Sequence, residues 1–175
     1  MTAVTPKKIF LLGMMGTGKS TIGRSLANKL GFDFIDSDNW IEESLKMKIP
    51  QIFEKKGEDY FRSLEKNFIL KELPSGNYII ACGGGLCIPP GMMDLLKKEG
   101  ITICLTASAD QIFQRIGSDP NRPLLEGSKT TKQIEDILAK RKETYDSADL
   151  VIKTDHLSPE RIIDSIITSL DKFWG

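Results

Sequence analysis

The chain has 175 residues, with 24 lysines and arginines against 24 aspartates and glutamates, so its formal net charge is zero. This length predicts one domain. The balanced charge offers no basic surface, so we expect neither nucleic acid nor an anionic membrane as a partner. Apolar runs are far shorter than the roughly 20 residues that cross a membrane, and the N-terminus does not have the pattern of a signal peptide.

The first predicted element is a strand, residues 9–12, which leads into the glycine-rich turn Gly13–Gly18. Lys19-Ser20-Thr21 then begins a segment with helical spacing, which completes the pattern G-x-x-x-x-G-K-[ST] between a strand and a helix. We call residues 13–21 the P-loop. Glycines let its backbone aim N–H groups at phosphate oxygens, and the helix N-terminus adds a positive field.

This pattern predicts a nucleoside triphosphate site. Lys19 is long enough to reach the β- and γ-phosphates, and the Ser20 hydroxyl suits Mg²⁺. The alternative is a glycine-rich turn that carries a surface lysine, and the strand and helix that flank the motif argue against it.

Further along the chain, strand-like and helical runs alternate, as is typical of a parallel α/β sheet. Strands are predicted at 9–12, 32–36, 78–81, 101–105 and 150–152, which makes about five. Helical spacing predicts helices at about 19–30, 40–46, 50–56, 61–73, 92–99, 109–116 and 134–145, and from 159 onwards. The polar segment 118–130 is long enough to suggest a mobile lid.

The second predicted strand ends in Asp36-Ser37-Asp38. In a parallel sheet both aspartates would lie at the carboxyl edge beside the P-loop, where such folds bind ligands. One carboxylate could then help to hold Mg²⁺ while the other meets an acceptor hydroxyl. The alternative is that Asp38 caps the next helix, and the two roles can coexist.

Two arginines stand out by position. Arg62 lies in a predicted helix with Glu65 one turn on to orient it, and Arg141 shares a helical stripe with Tyr145. A guanidinium on an apolar stripe is costly unless it meets an anion. Each arginine could form an internal ion pair, but the planar guanidinium fork also favours a small acidic substrate.

The remaining residue types exclude several classes of site. The guanine-binding pattern N-K-x-D and the switch pattern D-x-x-G are missing, which disfavours a GTPase. Cys82, Cys87 and Cys104 lack C-x-x-C spacing, and the single histidine, His156, is far along the chain. We therefore expect no zinc site, buried thiols in a reducing cytoplasm, and a surface position for His156.

These features together resemble the shikimate kinase family. The matching segments, in the family's order and approximate spacing, are Gly13–Thr21, Asp36-Ser37-Asp38, Phe61–Glu65, Gly83-Gly84-Gly85, Asn121–Leu125, and Arg141 with Tyr145. The resemblance implies a single-domain α/β P-loop kinase fold over residues 1–175, with substrate-binding helices at about 38–72. It implies transfer of the γ-phosphoryl group of ATP to the 3-hydroxyl of shikimate, with Mg²⁺, in aromatic amino acid biosynthesis.

The resemblance also implies roles for individual residues. Lys19, Asp38 and Arg122 would be catalytic, Ser20 would bind Mg²⁺ directly, and Asp36 would hold it through water. The nucleotide would contact Gly13, Gly16, Thr17, Gly18, Lys19, Ser20, Thr21, Arg115, Arg122 and Pro159. Shikimate would contact Asp38, Phe53, Phe61, Arg62, Gly83, Gly84, Gly85 and Arg141, with both arginines on its carboxylate.

One departure concerns the carboxylate clamp, because Glu143 stands where the family usually has the proline of R-x-P-x-Y. Two alternatives remain open. A gluconate or nucleotide kinase would not require the F-R-x-x-E and G-G-G segments. The other alternative is a non-catalytic nucleotide-binding protein, and the intact set Lys19, Ser20, Asp38 and Arg122 argues against it. We expect a cytoplasmic monomer.

Overall fold

The structure, a computed structural model, describes residues 7–116 and 130–174. The predicted lid falls outside these ranges except for Thr130, and Arg122 lies outside them too. In the described part, five parallel strands form one sheet in the order β2-β3-β1-β4-β5. Their bounds are Lys8–Leu12 (β1), Asp33–Asp36 (β2), Tyr78–Ala81 (β3), Ile101–Thr106 (β4) and Leu150–Lys153 (β5). The predicted five-stranded α/β fold is confirmed.

Helices connect these strands. Their bounds are Lys19–Leu30 (α1), Ser37–Leu45 (α2), Ile49–Lys56 (α3), Glu58–Asn67 (α4), Met92–Glu99 (α5), Ala109–Ile116 (α6), Thr131–Asp146 (α7) and Pro159–Trp174 (α8). The predicted helix 61–73 is wrong in its second half, because α4 gives way to a π-helix over Phe68–Glu72. There the Asn67 amide donates to Glu72 Oε1 at 2.5 Å, a pairing that the wide turn brings together.

Apolar layers cover both faces of the sheet. Along β1, Ile9 and Leu11 face a layer that includes α1 and α8, while Phe10 and Leu12 face the opposite layer. All four side chains are buried. A strand covered on both faces has to be apolar throughout, which explains the uninterrupted run that precedes the P-loop. A third, smaller cluster joins α2, α3 and α4 through Ile41, Ile52 and Phe61.

The strand order places the ligand-binding crevice. β1 is the central strand of the sheet. β2 and β3 lie on one side of it, and after β3 the chain crosses to the other side to form β4 and β5. In open parallel sheets, ligands bind at the carboxyl edge next to such a switch. The P-loop follows β1, and Gly83-Gly84-Gly85, here called the triple-glycine turn, follows β3. The two glycine-rich segments therefore face the same crevice from adjacent strands.

At the opposite edge of the sheet, Gly100 joins α5 to β4 where backbone approaches backbone. A Cβ atom at Gly100 would lie 2.3 Å from the carbonyl oxygen of Lys8. Because a backbone atom of the central strand cannot move away cheaply, we expect Gly100→Ala to lower the free energy of unfolding by about 2 kcal/mol. Urea unfolding measures this, with Lys97→Ala on the exposed face of α5 as the control. Equal midpoints for the variant and the control would contradict the close approach.

Candidate active site

A cavity of about 670 Å³ opens at the carboxyl edge of the sheet. Its wall contains most of the residues that the sequence predicted, namely Gly16, Gly18, Lys19, Ser20, Thr21, Asp36, Asp38, Phe53, Phe61, Arg62, Gly83, Gly84, Gly85 and Arg115. Glu65 and Cys82 also line it. Gly13, Thr17, Arg141 and Pro159 are not among its lining residues. The structure thus brings the P-loop, α2, α4 and the triple-glycine turn around one space.

The P-loop has the backbone conformation that its glycines predict. Gly13, Gly16 and Gly18 have φ angles of 127°, 80° and 94°, values that other residues rarely adopt. Inside the loop, Thr17 Oγ1 donates to the Met14 carbonyl at 2.8 Å. Lys19 Nζ donates to the carbonyl oxygens of Gly13 at 2.8 Å and Met14 at 3.0 Å. The lysine ammonium therefore lies over the loop at the cavity wall, where it can meet an anionic ligand.

Asp36 is held at the end of β2 by two different contacts. One oxygen, Oδ2, accepts a hydrogen bond from Ser20 Oγ at 2.7 Å. The other, Oδ1, accepts from the backbone N–H groups of Asp38 at 3.0 Å and Asn39 at 3.2 Å. Asp36, and not Asp38, therefore caps α2. The predicted cap was wrong because Asp36 is the last extended residue and the helix already begins at Ser37.

The Ser20–Asp36 pair also fits the predicted metal. Mg²⁺ in phosphoryl-transfer sites keeps several waters and takes one or two protein oxygens beside the phosphates. Among the described residues, no group of three or more His, Cys, Asp or Glu side chains could hold a metal by itself. A hydroxyl and a carboxylate beside the P-loop are therefore the oxygen donors that a phosphate-bound Mg²⁺ would find here.

Two carboxylates meet at Gly83. A Cβ atom on this glycine would lie 2.5 Å from Asp38 Oδ1 and 3.1 Å from Glu65 Oε1. Burial and the neighbouring Asp36 raise the pKa of Asp38 to about 6, against the opposing effect of Lys19. Burial raises the pKa of Glu65 to about 7, although Arg62 opposes this shift. Two carboxyl groups that titrate near neutrality in one cleft are typical of a functional site.

Arg62 is oriented by Glu65, as predicted. Its Nη1 donates to Glu65 Oε2 at 2.6 Å, and its Nη2 donates to Glu58 at 3.1 Å. Glu65 is 1% exposed, and its other oxygen, Oε1, is buried without a hydrogen-bond partner in the described part of the chain. The guanidinium touches the triple-glycine turn, since a Cβ atom on Gly85 would lie 2.6 Å from Nη2. Arg62 is thus both an ion-pair partner and a wall of the cavity.

Arg141 approaches the same turn from α7. Arg141 Nη1 and the Tyr145 hydroxyl donate to the Gly84 carbonyl at 3.0 Å and 2.8 Å. α7 continues through Glu143, whose side chain is exposed. Replacement of the family's usual proline by Glu143 therefore leaves Arg141 and Tyr145 on one face. Arg62 and Arg141 meet adjacent glycines of one turn and do not point into separate regions.

Ser37 is a site residue that the sequence reasoning missed. It is fully buried, and its Oγ accepts a hydrogen bond from the Gly83 N–H at 2.9 Å. This bond commits the Gly83 N–H to the protein, so the predicted donation to a substrate narrows to Gly84 and Gly85. The D-x-D pattern directed attention to its two aspartates, whereas a contact across 46 positions leaves no signal in local sequence.

The predicted nucleotide-base residues are less closely gathered. Arg115 Nη1 lies 3.3 Å from the Gly16 carbonyl and 3.3 Å from Thr154 Oγ1, which places this arginine beside the P-loop. Pro159 is the exposed first residue of α8. On the acceptor side, the two phenylalanines expected to contact shikimate pack on each other, since the ring centroids of Phe53 and Phe61 are 4.9 Å apart.

The cysteines and the histidine lie as predicted. Cys82, Cys87 and Cys104 are buried free thiols, and burial raises the pKa of Cys87 to about 11 and that of Cys104 to about 12. These thiols therefore stay protonated. His156 is exposed in the loop before α8. Within residues 7–116 and 130–174, every helix is too short or too polar to cross a bilayer.

Comparison with known proteins decides the family. The model of the family described as "Shikimate kinase" matches residues 15–171. The chain is 42% identical to the shikimate kinase of Thermodesulfovibrio yellowstonii over 166 residues, 95% of this chain and 96% of that protein. It is 43% identical to the shikimate kinase of Persephonella marina over 92% of this chain and 97% of that protein. The chain belongs to the shikimate kinase family.

Solved structures agree with this assignment. The chain is similar to a shikimate kinase from Acinetobacter baumannii in complex with shikimate, with a TM-score of 0.90, 34% identity, and coverage of 96% of this chain and 94% of that one. A gluconokinase from Sinorhizobium meliloti shares the fold at 13% identity and a TM-score of 0.57, over 98% of this chain and 95% of that one. The predicted family, fold and kinase activity are therefore confirmed.

The electrostatics of this shikimate kinase site predict a dependence of stability on pH. The folded pKa of Asp38, about 6, exceeds the ordinary aspartate pKa of 3.8. The folded protein therefore holds this proton more tightly and loses stability as the pH rises from about 4 to about 6, with the full cost present above that range. We expect Asp38→Asn to raise the free energy of unfolding by about 1–3 kcal/mol at pH 8.

At pH 4 the gain from Asp38→Asn should largely vanish, because the wild-type carboxyl group is then protonated when folded. Urea unfolding at both pH values measures the effect, and Asp171→Asn on the exposed end of α8 serves as the control. The same gain at pH 4 and pH 8 would show that the charge of Asp38 is not its origin.

Proposed function

We propose that the cavity carries out the family's reaction, transfer of the γ-phosphoryl group of ATP to the 3-hydroxyl of shikimate, with the P-loop on one side and the acceptor on the other. The observation that carries this proposal is the meeting of Asp38, Arg62 and the triple-glycine turn in the wall of the cavity that Lys19 also lines. The related Acinetobacter baumannii structure, which contains shikimate, supports the choice of acceptor.

The nucleotide lies on the P-loop side in this proposal. Backbone N–H groups of the P-loop cradle the phosphates, together with Thr17 in the loop and Thr21 in the first turn of α1, and Lys19 meets their charge. Arg115 lies along the adenine, and Pro159 lies near its other face. Arg122, which lies outside the described residues, completes the charge stabilisation from a lid.

Mg²⁺ is the proposed metal, held by Ser20 directly and by Asp36 through water. When bound, it neutralises charge on the phosphate oxygens during transfer. The hydrogen bond between Ser20 Oγ and Asp36 already places these two oxygens 2.7 Å apart beside the P-loop.

The acceptor lies against α2, α4 and the triple-glycine turn. The guanidinium groups of Arg62 and Arg141 receive its carboxylate, and Phe53 and Phe61 form the apolar wall. A guanidinium carries five N–H donors, and the contacts of Arg141 with Gly84 and Tyr145 use only Nη1. Planar forks approaching from two helices favour a carboxylate over a neutral sugar. Gluconate also carries a carboxylate, so the choice of shikimate rests on the F-R-x-x-E and G-G-G segments of the sequence and on the related structure that contains shikimate.

Asp38 takes the proton in the proposed step. The hydroxyl oxygen forms the new bond to the γ-phosphorus, the bond to the β,γ-bridging oxygen breaks, and the hydroxyl proton passes to the Asp38 carboxylate. With a pKa of about 6, Asp38 is mostly ionised at pH 7 yet basic enough to accept a proton. Lys19 faces the charge on the transferring group. We place this enzyme in the cytoplasm as a monomer, in keeping with its buried free thiols.

The experiment that tests the function offers shikimate, gluconate and nucleoside monophosphates in parallel and measures ADP release. We expect turnover with shikimate and Mg²⁺-ATP at least 100-fold above that with the other acceptors, because the acceptor has to place its acidic group at the two arginines and its hydroxyl at Asp38 at the same time. Preference for gluconate would replace the acceptor. ATP binding without turnover of any acceptor would identify a non-catalytic nucleotide-binding protein.

The carboxylate clamp predicts the effect of Arg62→Lys. A lysine ammonium cannot reproduce the planar fork that Glu65 and Glu58 hold in place. We expect the KM for shikimate to rise about tenfold or more, while the KM for ATP changes by less than about twofold. Steady-state kinetics measure both values, with Lys66→Arg on the exposed face of α4 as the control. An unchanged KM for shikimate would remove Arg62 from the clamp.

A further inference from the structure

Glu72 lies outside the cavity wall but joins the two helices that carry the acceptor-side residues. Its Oε2 accepts a hydrogen bond from the indole Nε1 of Trp40 at 2.9 Å. Its Oε1 accepts from the Asn67 amide at 2.5 Å. Trp40 belongs to α2, two residues after Asp38, and Asn67 ends α4, two residues after Glu65. One carboxylate therefore bridges α2 and α4 two residues along each helix from the carboxylates that meet at Gly83.

The partly buried position of this bridge strengthens its hold on the two helices. Both hydrogen bonds are partly buried, and a charged acceptor in such a place forms stronger bonds than a neutral one. The Trp40 ring packs on Phe68, which is fully buried, with the ring centroids 5.7 Å apart. The indole is thus anchored in the core on one side and to Glu72 through its N–H group.

The π-helix explains how Glu72 reaches both partners. In an α-helix, five residues make one full turn plus about 140°, so the side chains of residues 67 and 72 would point to different faces. The wider turn over Phe68–Glu72 brings Glu72 back to Asn67. Single π-turns occur frequently at functional sites, and here the turn follows directly on the helix that carries Arg62 and Glu65.

We propose that Glu72 is a positioning residue for the acceptor side of the site. It holds α2 against α4 so that Asp38 keeps its distance from Arg62 and Glu65 around Gly83. The P-loop, which follows β1 and leads into α1, has no part in this bridge. The inference rests on the proposed function only in assigning the acceptor side to shikimate.

The test compares Glu72→Ala with wild type under steady-state conditions. We expect kcat/KM for shikimate to fall about tenfold, equivalent to about 1.4 kcal/mol, while the KM for ATP stays within about twofold. Glu72→Gln should remain within about threefold of wild type. Its amide oxygen can still accept from Trp40, and the Asn67 amide can turn to accept from its NH₂ group. Glu43→Ala, at an exposed position of α2, is the matched control and should have no effect.

A second variant examines the same contact with the ring retained. Trp40→Phe removes the indole N–H group and keeps an aromatic side chain on Phe68. It therefore tests the hydrogen bond to Glu72 even if Glu72→Ala folds poorly. It should also lower kcat/KM for shikimate, and the double variant should lose less than the sum of the two single losses.

Two results would overturn the positioning role. One is a lower melting temperature for Glu72→Ala with kcat and both KM values unchanged, which would leave Glu72 a purely structural residue. The other is an equal rise of both KM values, which would show a general loosening of the fold. Either result, obtained with a wild-type enzyme that turns over shikimate, leaves the proposed function intact.

Discussion

The acceptor side of this site depends on the triple-glycine turn, because groups from three helices, α2, α4 and α7, converge on its backbone. Ser37 accepts from the Gly83 N–H, while Arg141 and Tyr145 donate to the Gly84 carbonyl. A Cβ atom at Gly83 would strike Asp38, and one at Gly85 would strike Arg62. The turn needs glycine because charged side chains occupy the space where a Cβ atom would be. It thereby sets the spacing between carboxylate and guanidinium.

This arrangement costs folding free energy. Burial raises the pKa values of both Asp38 and Glu65, which means that each ionised carboxylate is less stable here than in water. Lys19 and Arg62 offset part of that cost for Asp38, and Arg62 also offsets part of it for Glu65. Burial of apolar side chains on both faces of the sheet offsets the free-energy cost of these buried carboxylates. The apolar sheet therefore stabilises the fold, while the charged groups that function requires are confined to its edge.

The sequence predicted the features that depend on residues close together in the chain and missed those that depend on residues far apart in it. The P-loop and the strands depend on neighbouring residues, and the structure places them as predicted. The pairing of Arg62 with Glu65 is one helical turn long and was also predictable. Ser37 and Glu72 act through partners 46 and 32 positions away, and no local pattern records such contacts. The capping role of Asp36 was missed because the helix was predicted to start near Trp40, which left Asp38 as the candidate cap, whereas α2 starts at Ser37.

The position of the proposed Mg²⁺ carboxylate follows from the same turn. In many P-loop proteins an aspartate at the end of the strand beside the P-loop assists the metal, but here β3 ends at Ala81 and is followed by Cys82 and the three glycines. A side chain in that turn would collide with the acceptor-side charges, so the carboxylate has to come from elsewhere. β2 pairs with β3, and its last residue, Asp36, is level with Ala81 at the same edge. Asp36 can therefore meet Ser20 while the glycine turn stays open to the acceptor.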